Sequence, residues 1–231
     1  MTFSIVARCA DTGAFGVAIS SSSAAVASRC AFAKSGIGAV VSQNVTDPRL
    51  GNNVIRNLSV GKNAQEAVNE VMAEAHNSEY RQVMAVDKNG ETSIYTGSKA
   101  LGINAEFQSK NAAAAGNLLK HKDVPELMVN KFHQSEGHLG DRLIAALING
   151  LSAGGEAGPV HSAGLLLVDK HEWPLVDLRC DWTNDCPIGI LIVTWRVFKP
   201  QMDDYVLRAL NPNLAPSYGV PGDQLPDTRQ S

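Results

Sequence analysis

The sequence predicts an α+β protein with mainly antiparallel sheets. Three observations carry that prediction. The β-prone and helical runs come in groups rather than in strict alternation, which argues against a doubly wound parallel sheet. Short turn signals, Asp11-Thr12-Gly13 and Asp87-Lys88-Asn89-Gly90, join pairs of β-prone runs as hairpin turns do. A chain of 231 residues buries roughly 70% of its unfolded surface. Two sheets stacked face to face, with helix layers outside, would bury every apolar segment.

The elements follow in order. Thr2 to Arg8 alternates and is β-prone, and Phe15 to Ile19 is its hairpin partner. Ser20 to Ser23 places four hydroxyls at the end of that strand. Ile37 to Ser42, entered through Gly36 and Gly38, is read as the third strand. Its nearly unbroken apolar run suits a strand covered on both faces. Leu50 to Leu58 forms a short helix. Asn63 to His76 forms a longer one, with Ala64, Ala67, Val68, Val71, Met72 and Ala75 at helical spacing. Val83 to Val86 and Thr92 to Thr96 make a second hairpin. Asn111 to Ala115 is a small apolar strand ending at Gly116-Asn117. Val124 to Gln134 and Leu139 to Leu151 are helices, and Ser162 to Val168 with Leu175 to Cys180 are paired strands. Pro187 to Leu210 reads as a last long helix, with Pro200 placed to kink or split it. Residues 1–211 are expected to form one domain. Residues 212–231, with Pro212, Pro216, Pro221 and Pro226, are expected to form an extended tail.

Composition narrows the function classes. A net charge of −3 gives no electrostatic case for nucleic acid or an anionic membrane surface. No apolar run approaches the ~18 residues of a membrane span. No basic stretch followed by an apolar one opens the chain, so a cytoplasmic protein is expected. Cys9, Cys30, Cys180 and Cys186 form no Cys-x-x-Cys pair and read as reduced, buried thiols. The six histidines make no metal set: His133 and His138 are interrupted by Gly137, and His161 with Glu156 lacks further ligands. No cofactor motif is present, since Gly154-Gly155 belongs to neither phosphate-loop pattern.

The chemistry-bearing feature is the hydroxyl residue directly behind Met1. Thr2 is small enough for Met1 to be trimmed, which would leave nucleophile and base on one residue. Threonine hydroxyls need an adjacent base, and an α-amine titrates near pH ~8, close to what a general base wants. Ser4 shares the Thr2 side of its strand under period-two alternation, and Ser20 and Ser22 sit at the end of the paired strand. Asn117 after Gly116, with Gln43 and Asn44 at the end of the third strand, are amide donors that could hold an oxyanion. Arg81 could clamp a carboxylate or pair with a surface Glu.

The stretch Thr2-Phe3-Ser4-Ile5-Val6-Ala7-Arg8, then Thr12-Gly13 and Phe15-Gly16-Val17-Ala18, resembles the opening of the bacterial family labelled domain of unknown function 1028. So do Ala33-Lys34-Ser35-Gly36-Ile37-Gly38-Ala39-Val40 with Gln43, Arg81-Gln82-Val83, Gly116-Asn117, Asp177-Leu178-Arg179, and Tyr218-Gly219-Val220-Pro221-Gly222-Asp223. That family is similar to the N-terminal nucleophile hydrolases, which include proteasome β-subunits and amidases. The resemblance implies a four-layer αββα sandwich and amide-bond hydrolysis by the first residue of the mature chain. It also implies a role for Lys34, placed as proteasome-like enzymes place a lysine near the nucleophile, where an ammonium would depress the amine pKa. One departure stands out. The family pattern carries Gly-Gly-Asp and arginines before the Ser-Ala of the late strand. This chain reads Gly154-Gly155-Glu156-Ala157-Gly158-Pro159-Val160-His161-Ser162-Ala163, so its ligand differs if that loop reads substrate.

The expectation is thus an N-terminal-threonine hydrolase cleaving a C–N bond (amide, imide or ureido-type) in a small molecule, with catalytic Thr2, Lys34 and Asn117. Ser4, Ser20, Ser22, Gln43, Asn44 and Arg81 would line the substrate site. The alternative is a catalytically silent domain of the same fold that binds a metabolite or protein partner. Neither nucleic acid nor membrane is an expected partner. A homo-oligomer is, because the stretch from Ile188 to Phe198 is more apolar than one core-facing stripe requires.

Overall fold

The structure, a computed structural model, describes residues 2–220. Pro221 to Asp223 of the last motif, and Pro226 of the expected tail, lie outside the described residues. The chain divides into two compact units at Thr194–Trp195.

The first unit holds ten strands in two sheets. The six-stranded sheet has the order β10-β9-β2-β1-β8-β7 and the four-stranded sheet the order β3-β4-β5-β6. The strands are β1 (Thr2–Arg8), β2 (Phe15–Ser21), β3 (Ala31–Lys34), β4 (Gly38–Asn44), β5 (Arg81–Asp87), β6 (Thr92–Thr96), β7 (Ala105–Ser109), β8 (Ala112–Asn117), β9 (Ser162–Val168) and β10 (Val176–Cys180). Every neighbour pair is antiparallel.

Side-chain alternation separates the layers. Val6, Val17, Ile19, Ala113 and Ala115 of the larger sheet meet Ala39, Val41, Met84 and Val86 of the smaller one in a continuous buried core. The opposite face of the smaller sheet, including Val40, Val83 and Ala85, packs on α2 (Pro48–Ser59) and α3 (Ala64–Glu74). The outer face of the larger sheet packs on α4 (Val124–Gln134) and α5 (Leu139–Ser152). Helix, sheet, sheet, helix is therefore the layer order, and both faces of each sheet are covered.

Local signals explain the helix starts. Asp47 accepts from the backbone N–H of Arg49, with Pro48 in the first turn. Asn63 and Glu66 form a reciprocal capping box before α3. Two elements escape the sequence reading near Lys34. A five-residue helix, α1 (Val26–Cys30), and β3 come before the strand that was expected to be third, so that strand is β4. Gly164 lets α1 approach β9: a Cβ there would lie 2.3 Å from the Ala27 Cβ. The edge strand β7 also goes unread, because Ala105–Ser109 mixes polar residues with a single aromatic.

The expected long helix is divided. It becomes α6 (Pro187–Phe198), a 3₁₀ turn at Lys199–Gln201, and α7 (Met202–Leu210), since Pro200 cannot donate a helical hydrogen bond. In the second unit, Phe198 and Tyr205 stack at 5.5 Å, and the Arg208 guanidinium sits 3.9 Å from the Tyr218 ring centroid. Among the described residues no helix is long and apolar enough to cross a membrane. Of the four cysteines expected to be buried, Cys9, Cys30 and Cys180 are, whereas Cys186 is exposed.

Candidate active site

β1 lies in the middle of the larger sheet, and its first residue sets the site. Thr2 is opposite Asn117 of β8. The β1–β2 register, Phe3 against Ser20, carries Thr2 toward Ser21 on the other side. Cross-strand partners share a face. Thr2, Ser4 and Val6 alternate on the inter-sheet face, so the inter-sheet layer is apolar through its middle and polar at the Thr2 end.

Two hydrogen-bonded systems meet there. The first is a string of hydroxyls. Thr2 Oγ1 donates to Ser21 Oγ at 3.3 Å. Ser21 Oγ and Ser23 Oγ lie 2.9 Å apart and share a hydrogen bond. The backbone N–H of Ser23 also donates to Ser21 Oγ, at 3.1 Å. Arg29 Nη2 then donates to Ser23 Oγ at 3.0 Å and to the Ala24 carbonyl at 2.8 Å. A guanidinium thus ends a chain that begins at the Thr2 hydroxyl.

The second system is a buried string of amides bridging the sheets. Ser4 Oγ donates to Gln43 Oε1 at 2.5 Å, and Gln43 Nε2 donates to Gln82 Oε1 at 2.7 Å. Asn117 Nδ2 donates to the same Gln82 oxygen at 3.3 Å. Backbone carbonyls fix which end of each amide is which. Gln43 Nε2 also reaches the Ala115 carbonyl and Gln82 Nε2 the Gly116 carbonyl. A carbonyl accepts only, so both contacts must be made by the NH2 ends. Gln82 therefore presents its oxygen to Asn117, and Asn117 must answer with its NH2. Asn117 Oδ1 is left buried without a partner. Asn117 was expected to donate to an oxyanion; its side chain instead offers an acceptor on the Thr2 side of the sheet.

Replacing Gln82 with Ala leaves Asn117 Nδ2 without its acceptor and takes from Gln43 Nε2 one of its two, in a fully buried layer. We expect a loss of about 2–4 kcal/mol, from unpaired buried polar groups plus a cavity. A urea unfolding curve checks this. A change under ~0.5 kcal/mol would mean that the amide string is not structural.

Glu156 completes the neighbourhood. Both its carboxylate oxygens accept from the Ser22 backbone N–H, at 3.0 and 3.2 Å. Its loop is tied to the segment following β8 by a Leu119–Glu156 bridge and by Lys120 N–H to the Gly155 carbonyl, at 3.0 Å. Glu156 is 4% exposed. Burial pushes its pKa from 4.5 up to about 7, against the opposing pull of the Ser22 N–H. His161 is nearby: its backbone N–H donates to the Ser21 carbonyl, and its ring stacks on Trp182 at 4.5 Å.

The structure brings some of the expected residues together and not others. Thr2, Ser4, Gln43 and Asn117 converge, and Ser22 contributes through its backbone. Ser20 is corrected: it faces the other side of the sheet, where its hydroxyl donates to the Ser162 carbonyl at 3.0 Å. Ser21 holds the inward position, because a shift of one residue in a strand exchanges the faces. Asn44 adopts a left-handed backbone (φ 64°) and spends its side chain on the Tyr80 carbonyl and the Leu101 N–H. Arg81 donates to the Val45 carbonyl and so clamps that loop rather than a surface Glu.

Lys34 is corrected as well. It is exposed and pairs with Gly38 at the end of β4 farther from Gln43. Five residues of strand, about 16 Å, separate that end from Gln43. Arg29, Ser21 and Glu156 are the residues that sequence reasoning missed as site members. The hydroxyl run and the carboxylate replacing the family's Asp were visible, but the register that aims them was not. Among the described residues no group of three or more His, Cys, Asp or Glu side chains could hold a metal ion.

Comparison with known proteins agrees with this arrangement of strands. No curated protein matches the chain. A similar solved structure is protein SPO2555 from Silicibacter pomeroyi, described as a DUF1028 protein. It is 31% identical over 86% of this chain and 89% of that one, with a TM-score of 0.80. Looser likenesses are Anbu from Hyphomicrobium sp. strain MC1, as a Gly-1 mutant (11% identity, TM-score 0.44, 87% of this chain and 96% of that one), and Anbu from Yersinia bercovieri (10%, 0.42, 87% and 96%). At those values they carry no inference about chemistry. The family model described as "Family of unknown function (DUF1028)" matches residues 2–191, and the chain belongs to that family.

Proposed function

We propose that the protein is an N-terminal-threonine hydrolase that cleaves a C–N bond in a small amide, imide or ureido-type molecule, as a cytoplasmic enzyme without a bound cofactor. The observation that carries this reading is the hydroxyl string running from Thr2 Oγ1 through Ser21 and Ser23 to Arg29. A structural threonine at a strand start has no need of a polar relay ending on a cation.

Removal of Met1 frees the Thr2 amine. The Thr2 oxygen attacks the carbonyl carbon while its proton passes to that amine. Asn117 Oδ1 accepts an N–H of the resulting ammonium and holds it in place. Collapse of the tetrahedral intermediate breaks the C–N bond. The leaving nitrogen takes the proton and the acyl group remains as an ester on Thr2. Water, deprotonated by the same amine, then releases the acid. Arg29 takes the electrostatic role expected of Lys34. We expect Lys34→Ala to leave kcat within about twofold, and Arg29→Ala to lower it about tenfold, the size of one lost charge-assisted hydrogen bond.

An intact mass of the purified protein is the first test: the reading requires a chain one methionine lighter than the full sequence. The second is turnover, or an ester adduct on Thr2, with a panel of small amides. The silent-domain reading draws on one observation, that Thr2 is only 5% exposed; retained Met1 would favour it. Ile190, Val193 and Val197 are exposed along α6 and support a homo-oligomer, which sedimentation can check.

A further inference from the structure

At the end of the inter-sheet layer away from Thr2, hairpin turns from both sheets converge. Arg8, the last residue of β1, continues the inward series Thr2, Ser4, Val6. Among the described residues its only hydrogen bond from a side-chain nitrogen is a 3.4 Å contact from Nη1 to Asn111 Oδ1, and Nε is buried without a partner. Arg8 lines a cleft of about 430 Å³ together with Lys88 of the β5–β6 turn and Lys170 of the β9–β10 loop. Through Ser35 and Lys170 this cleft adjoins a second hollow of about 500 Å³, which Lys34 lines.

Two carboxylates, Asp169 and Glu172, also border these hollows. Neither forms an ion pair with any of the four cations among the described residues. Four unpaired cations thus gather in a chain whose net charge is −3. Holding an arginine half-buried with an unmet donor costs stability. Proteins usually meet such a donor with a carboxylate or water, and here the residue that carries it lines a space of ligand size.

We infer that this cleft binds a small, multiply charged oxyanion, a phosphate-bearing or polycarboxylate molecule, with Arg8 supplying the planar fork and Lys88 and Lys170 the point charges. The site is independent of the chemistry at Thr2.

Titration calorimetry on the full chain tests it, with inorganic pyrophosphate and citrate as separate probes. Saturable binding of at least one probe is expected, weakening as salt rises. Arg8→Gln should weaken it at least tenfold, and a Lys88→Ala/Lys170→Ala double variant likewise. Thr2→Ala should bind as the wild type does. The tighter probe identifies the ligand's acid group, phosphate or carboxylate. Without probe, Arg8→Gln should melt no lower than the wild type, since it removes an unpaired charge; this separates lost binding from lost folding. Two results would overturn the inference: no saturable binding of either probe at millimolar concentration, or binding that survives both sets of substitutions.

Discussion

Thr2→Ala is expected to lower kcat by at least about a thousandfold, with the melting temperature nearly unchanged. The substitution deletes the only atom that could form the acyl ester, and loss of a covalent nucleophile costs at least about 4 kcal/mol of transition-state stabilisation. The fold should tolerate it. Thr2 begins a strand, and its hydroxyl makes a long 3.3 Å bond to Ser21 Oγ, worth about 1 kcal/mol or less. Thr2→Ser keeps the oxygen and the amine and should retain turnover within about tenfold. The contrast matters because a structural role predicts the reverse, with both variants active and Ala the less stable. Steady-state rates on any turned-over amide, paired with melting curves, separate the two. An Ala variant as fast as the wild type would leave only the silent-domain reading.

Glu156→Gln should stabilise the protein above neutral pH by up to about 3 kcal/mol, and by almost nothing at pH 4. Burial lifts the folded-state pKa from 4.5 to about 7. The folded state therefore keeps a proton that the unfolded chain has already released. The corresponding stability is fully present below pH 4.5 and is lost as pH rises through about 7. Each pKa unit is worth about 1.4 kcal/mol. The amide cannot ionise, so its variant escapes the loss while an oxygen remains to accept the Ser22 N–H. Urea unfolding at pH 4, 6 and 8 checks the sign: the gap between variant and wild type should widen with pH. A gap that is flat or inverted would mean that Glu156 sits ionised in the fold.

Much of the architecture could be read from local pattern. The hairpin at Asp87–Gly90, the capping signal at Asn63–Glu66 and the spacing along Val124–Gln134 each rest on contacts a few residues apart. β7 and β3 were missed for the complementary reason. Ala105–Ser109 and Ala31–Lys34 hold their strand form through pairing with β8 and β4, and neither run alternates strongly enough to declare itself.

The site divides in the same way. The sequence alone set the inventory: a hydroxyl behind Met1, a serine run, amides at two strand ends, and a carboxylate in the Gly154–Gly155 loop. Tertiary structure alone decided which of these meet. Register put Ser21 rather than Ser20 beside Thr2, an extra short strand carried Lys34 to the far end, and the Ala115 and Gly116 carbonyls turned Asn117 into an acceptor. Residue identity is carried by the chain itself. Facing and polarity depend on partners as far as 142 residues away in the chain, and no local pattern encodes them.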